Sequence, residues 1–247
     1  MGATIDRPGA QAALAFASAA RSHVGHVRKI NEDRLLDCPE RGLWAVADGM
    51  GGHHGGDVAA ELVIGALRQL VRQPDAITAP MILEALHKAN AAILERGRDG
   101  GGTIGSTVVV LHIAGDQGTL FWAGDSRAYH AAQGVWAQVT RDHSVVQELL
   151  DAGLVDGDQA RRHPKAHIIT RALGITQDID IAQEVRTVSP GDRLLLCSDG
   201  LTRMLDTQDF TRATGIEAGA DALLGEALHR DGSDNISLVL VETRAAL

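Results

Sequence analysis

The chain has 247 residues, 45% hydrophobic and 22% charged, a balance that supports a folded core and excludes a disordered tail protein. Its net charge of −9 repels phosphate backbones. The densest basic run, Arg161, Arg162, His163, Pro164 and Lys165, is too short to offset that, so no nucleic-acid partner is expected.

No apolar run approaches the ~18 residues that cross a bilayer, so no membrane partner is expected. The N-terminus imitates a secretory signal, but Asp6 beside a lone Arg7 makes a poor charged region and the apolar stretch is short. Cys38 and Cys197 read as reduced thiols of a cytoplasmic protein. The 28 glycines and only 3% aromatics point to short aliphatic strands joined by tight turns. A loose tail over residues 1–8 and one domain over residues 9–247 are expected.

Residues 15–19, 35–37 and 43–47 are apolar runs and read as strands. Val58, Leu62, Ala66 and Leu70 then recur four apart, with Ala59, Val63, Leu67 and Val71 beside them. That is one helical stripe, with Asp57 as its expected N-cap. A second helix begins after Pro80 and carries Ile82, Leu86, Ala89 and Ile93 on one face, ending near Gly97. Strands follow at 106–113, 119–122, 128–130 and 135–139, with connections too short for parallel crossovers. A helix over 144–152, a polar segment through Lys165, a strand at 193–197, helices at 207–214 and 218–228, and a strand at 236–241 complete the chain. Strands and helix pairs are segregated, which predicts an α+β fold of antiparallel sheets covered by helices.

Gly100, Gly102 and Gly105 spell G-x-G-x-x-G, with Asp125 at the distance of a ribose-binding acid. A dinucleotide loop needs a strand before it and a helix after it, and here that order is inverted. Nucleotide binding is therefore not expected.

The informative feature is a set of carboxylates at strand ends. Asp48 and Asp199 each precede a glycine, Asp125 sits in a turn, Asp234 stands before the last strand, and Glu32 and Asp33 open another. Each alone reads as a turn or cap residue. Together they would meet at one edge of the sheets and repel unless a hard cation neutralised them. Gly49 would let a backbone carbonyl approach that cation. Arg28, five residues before Asp33, has the planar fork that suits phosphate oxygens. His53 and His54 are adjacent, so they lack the spacing of a zinc helix.

In chain order, Gly25–Asp33, Val46–His53, Gly105-Ser106-Thr107, Gly124–Arg127, Thr140–Ser144, Ile169–Gly174, Cys197–Leu201 and Asp234–Ser237 resemble the metal-dependent Ser/Thr protein phosphatases of type 2C, in their short bacterial form. The resemblance implies a four-layer α/β/β/α sandwich, two central antiparallel sheets flanked by helix pairs. It implies two Mn²⁺ or Mg²⁺ ions bridged by Asp48 and held by the Gly49 carbonyl, Asp199 and Asp234. Glu32 and Asp33 would stand close by, and Asp125 would serve a third ion. Arg28 matches the arginine that holds the substrate phosphate, and residues 144–165 match a variable flap beside the site.

Phosphorylated proteins are then the substrates, an opposing bacterial Ser/Thr kinase a natural partner, and a monomer the expected state. Two cations about 3.5–4 Å apart would share a water, giving a hydroxide that attacks phosphorus directly. Met50 stands where many eukaryotic members have a proton-donating histidine, so the acid must be water or another residue. A silent binding module and a small-molecule metal hydrolase are the competing readings.

Overall fold

A computed structural model describes residues 14–51, 55–100, 102–211 and 215–246. The tail over residues 1–8, His53 and His54 lie outside them.

One sheet is ordered β1 (Leu14–His23), β11 (Ile236–Ala245), β10 (Arg193–Cys197), β7 (Arg127–Ala132) and β8 (Val135–Gln138). The other is ordered β2 (Asp33–Cys38), β3 (Leu43–Gly51), β5 (Val108–Ala114), β6 (Gln117–Ala123) and β9 (Ala182–Thr187), with β4 (Ile104–Ser106) on the end of β3. Neighbouring strands run antiparallel throughout.

Alternation along single strands sets the layers. In β3, Leu43, Ala45 and Ala47 pack under α1 (Gly56–Val71) and α2 (Ala79–Gly100). Trp44 and Val46 point the other way, into an apolar layer between the sheets. In β10, Leu194 and Leu196 enter that layer, while Leu195 and Cys197 pack toward α7 (Ile216–Arg230). A strand covered on both faces loses polar alternation and becomes continuously apolar, which is why 43–47 reads as an unbroken run. Two antiparallel sheets thus lie back to back between helices, as expected.

Several local expectations are corrected. Gly55, not Asp57, takes the N-cap position of α1, and Asp57 lies in its first turn. Helix α2 starts at Ala79, so Pro80 falls in its first turn, where a missing N–H costs nothing. It ends at Gly100 and β4 follows, the helix-before-strand order expected of the glycine decoy. The strand expected over 106–113 is interrupted at Thr107, although Gly49 opposite Ser106 and Val46 opposite Val109 keep one register across the break.

Strand β9 escaped the sequence reading because it is an edge strand with mostly polar, exposed side chains. The polar segment after α3 (Val145–Asp151) contains the short helix α4 (Gly157–Arg161), held by a capping box at Asp156 and Gln159. Two more short helices, α5 (Asp199–Thr202) and α6 (Thr207–Phe210), follow β10. Among the described residues no helix is long and apolar enough to cross a membrane.

Candidate metal centre

Antiparallel pairing brings the acidic strand ends to one edge of the sandwich. The end of β3, the start of β2 and the end of β6 share that edge in one sheet. The end of β10 and the starts of β7 and β11 share it in the other. Asp33 and Asp48 are directly opposed across β2 and β3, so their side chains leave the same face.

The carboxylates act on one another. Desolvation raises Asp48 well above the ordinary carboxylate range, and the charges of Asp33, Asp199, Asp125 and Asp234 push it further. Burial, reinforced by Asp199 and Asp234, lifts Asp33 to about 7. Desolvation likewise lifts Asp125 to about 7, with Asp199 and Asp142 adding to it. Burial also raises Asp199 and Glu32. Burial leads in every case and the neighbouring carboxylates add to it, so these acids are costly to ionise without added positive charge.

The backbone around them is pinned tightly. Thr107 N–H donates to the Asp48 carbonyl at 2.8 Å, and Asp48 N–H donates to Thr107 Oγ1 at 3.2 Å. Thr107 Oγ1 also shares a hydrogen bond of 2.7 Å with Ser126 Oγ, the neighbour of Asp125. The interruption at Thr107 therefore exchanges a ladder carbonyl for a hydroxyl that ties two acid-bearing turns together. Ser198 Oγ donates to Asp33 Oδ2 at 2.9 Å. A Cβ on Gly49 would lie 1.9 Å from the Gly56 carbonyl oxygen, so only glycine fits after Asp48.

Arg28 reaches the site from the loop between β1 and β2. Its Nε lies 2.8 Å from Asp234 Oδ1, and its Nη2 donates to Asp234 Oδ2 at 3.0 Å. That loop is clamped by Asn235. The Asn235 amide donates to the carbonyls of Val24 and Ile30 at 2.9 and 3.0 Å, and its Oδ1 accepts from Glu32 N–H at 2.8 Å. Asn235→Ala would strand three polar backbone groups, and a loss of about 2 kcal/mol is expected, read as a lower thermal midpoint. Because the loop carries Arg28, a several-fold rise in KM for a phosphorylated substrate is expected with it.

The site fits a hard cation. Asp33 Oδ1 is buried without a hydrogen-bond partner among the described residues, a lone pair left for another ligand. The donors are all oxygens, and the raised carboxylates need positive charge. As the side chains stand, no group of three His, Cys, Asp or Glu among the described residues is set to hold an ion. Two of the acids carry arginine partners: Arg28 and Arg203 pair with Asp234, and Arg203 pairs with Asp199.

Both cysteines and His143 are held in their neutral forms. Burial pushes the Cys38 thiol up to about 11 and the Cys197 thiol up to about 12, so neither is a thiolate at neutral pH. Desolvation, with the charge of Arg171, holds His143 down to about 4, so it is neutral. Beside the carboxylates lies a cavity of about 670 Å³ walled by Asp125 and Asp199, by Val146 and Leu150 of α3, and by Arg203 and Met204. The Arg127 fork grips the Asp142 carboxylate at 2.9 and 2.7 Å on its floor.

Thr107, Ser198 and Asn235 lay within the motifs but carried no assigned role. Their task is to position backbone, which spacing does not announce. Arg203 gave one faint signal, its place four residues after Asp199.

Comparison with known proteins gives consistent results. Residues 21–220 match the family model of protein phosphatase 2C. The serine/threonine phosphatase stp of Listeria innocua is 33% identical over 90% of this chain and 94% of its own. PstP of Mycobacterium tuberculosis, a serine/threonine protein phosphatase, is 35% identical over 94% of this chain, which spans 46% of PstP. Among solved structures, PppA, described as a key regulatory component of T6SS in Pseudomonas aeruginosa, is 39% identical with a TM-score of 0.84, covering 93% of this chain and 98% of that one. The catalytic domain of PstP in complex with two manganese ions is 33% identical with a TM-score of 0.85, covering 94% and 99%.

Proposed function

Because the chain belongs to the protein phosphatase 2C family, we propose that it hydrolyses phosphoserine and phosphothreonine in proteins, using two divalent cations held by Asp48, Gly49, Asp199 and Asp234. Glu32 and Asp33 lie within reach of that pair, and Asp125 is the candidate ligand of a third ion. The observation that carries the reading is the convergence of Asp33, Asp48, Asp125, Asp199 and Asp234 from both sheets on one edge, where burial raises the first four. The manganese-bound PstP domain supports Mn²⁺ as the cation. Such ions would supply Lewis acidity that makes hydroxide available near neutral pH and offsets phosphate charge.

The chain's own residues do the rest. Arg28 binds and orients the phosphate through its planar fork, once released from Asp234. Water attacks phosphorus in line with the departing seryl or threonyl oxygen, and no phosphoenzyme forms. The two buried, protonated thiols agree with that, since neither can serve as nucleophile. Met50 cannot protonate the leaving oxygen, and neutral His143 cannot either. The segment over 144–165, which contributes α3 and α4 to the cavity wall, would choose among substrate proteins. A Ser/Thr kinase acting on the same proteins would oppose the enzyme.

The test is release of phosphate from a phosphothreonine peptide with Mn²⁺ or with EDTA. Turnover only with Mn²⁺ is expected, with the peptide preferred over free phosphorylated metabolites. Undiminished turnover in EDTA would overturn the reading.

A further inference from the structure

Resting on the phosphatase reading above, we propose that Arg203 is an internal counter-ion. It holds the metal-binding carboxylates together in the metal-free protein and must be expelled before cations enter, so it sets metal affinity.

The geometry carries the inference. Arg203 Nη2 and Nε lie 2.5 and 3.1 Å from Asp199 Oδ2, and its Nη1 lies 3.4 Å from Asp234 Oδ2. One guanidinium thus bridges the acid that opens α5 and the acid just before β11, which α6 and α7 separate in the chain. The bridge is local in origin. Arg203 is the C-cap of α5, one helical turn after Asp199, so its side chain falls over the residue that opens the helix. Asp234 is held from its other side by Arg28. Both carboxylates thus carry an arginine partner within a cluster of buried acids.

A cation that takes Asp199 and Asp234 must compete with that guanidinium, because an oxygen lone pair committed to N–H is not available to a metal. The displaced side chain has somewhere to go, since Arg203 also lines the 670 Å³ cavity and can turn into it. Apparent affinity then equals the intrinsic affinity reduced by the fraction of molecules in which Arg203 has let go.

An alternative role predicts the opposite sign. Were Arg203 an orienting partner that presents Asp199 to the metal, its loss would weaken binding, as removal of such supports does. Calorimetric titration of the metal-free protein with Mn²⁺ separates the two. Arg203→Ala and Arg203→Gln are expected to bind Mn²⁺ about tenfold more tightly than the parent chain. Both should melt at lower temperature in EDTA, having lost the counter-charge. Arg203→Lys, a point charge unable to bridge both acids, should fall between.

Unchanged or weaker Mn²⁺ binding in Arg203→Gln, confirmed folded by circular dichroism, would overturn the proposal while leaving the phosphatase reading intact. Asp199→Asn guards that reading separately. It should lose Mn²⁺ binding, and an unaltered titration would remove the metal site itself and this proposal with it.

Discussion

Asp48→Asn is expected to leave a folded protein whose Mn²⁺-dependent phosphatase turnover has dropped by about 10³-fold or more, the scale of losing a preorganised charge contact. The same variant should melt at a higher temperature than the parent chain in EDTA. Both effects follow from one fact. Asp48 stands in the field of Asp33, Asp199, Asp125 and Asp234, so its charge is costly without a cation and indispensable with one. Thermal melts with EDTA and with Mn²⁺ read the two halves. A variant that loses activity because it is misfolded would melt lower in both, which would remove the assignment of Asp48 as a metal ligand.

The second large effect is a pH dependence that reverses with metal. Asp33 and Asp125 each bind a proton with pKa about 7 in the folded chain, against 3.8 for an ordinary aspartate. Between about pH 4 and 7 the folded state therefore holds more protons than the unfolded one. Stability that is fully present below pH 4 is lost as pH climbs through 7. Metal-free protein is expected to melt on the order of 5 °C or more lower at pH 7.5 than at pH 5.

Mn²⁺ should turn that slope around, because binding requires deprotonated ligands and strengthens with pH. Asp33→Asn should flatten the metal-free slope. Differential scanning fluorimetry across pH, with and without Mn²⁺, measures all of this. A metal-free midpoint that rises from pH 5 to 7.5 would contradict the crowding of these acids.

Much of the architecture was legible because doubly covered strands such as 43–47 and 193–197 write themselves as apolar runs, and α1 writes a continuous stripe. Edge strand β9 was not, since its side chains face water and carry no apolar signal. Asp48 and Asp199 stood out through the glycines after them, which the structure explains by backbone approach: 1.9 Å from a Gly49 Cβ to the Gly56 oxygen and 2.0 Å from a Gly200 Cβ to that of Asn235. Their supports were silent. Asn235 works on residues more than two hundred positions away, and Thr107 works through a hydroxyl inside an apolar stretch. Periodicity reports what is buried, not which polar group spans two loops. Arg203 belongs with these, because its two partners become neighbours only after folding.

The final strand, β11, lies between β1 and β10 and is the neighbour that ties β1 into its sheet. It is immediately preceded by Asp234 and by Asn235, the residue that fastens the Arg28 loop. During synthesis β1 must therefore wait for β11, a pairing of more than two hundred residues' separation that forms late. A fragment that stops before Asp234 has neither the acid nor the clamp. Such fragments should thus be unable to release phosphate from a phosphopeptide.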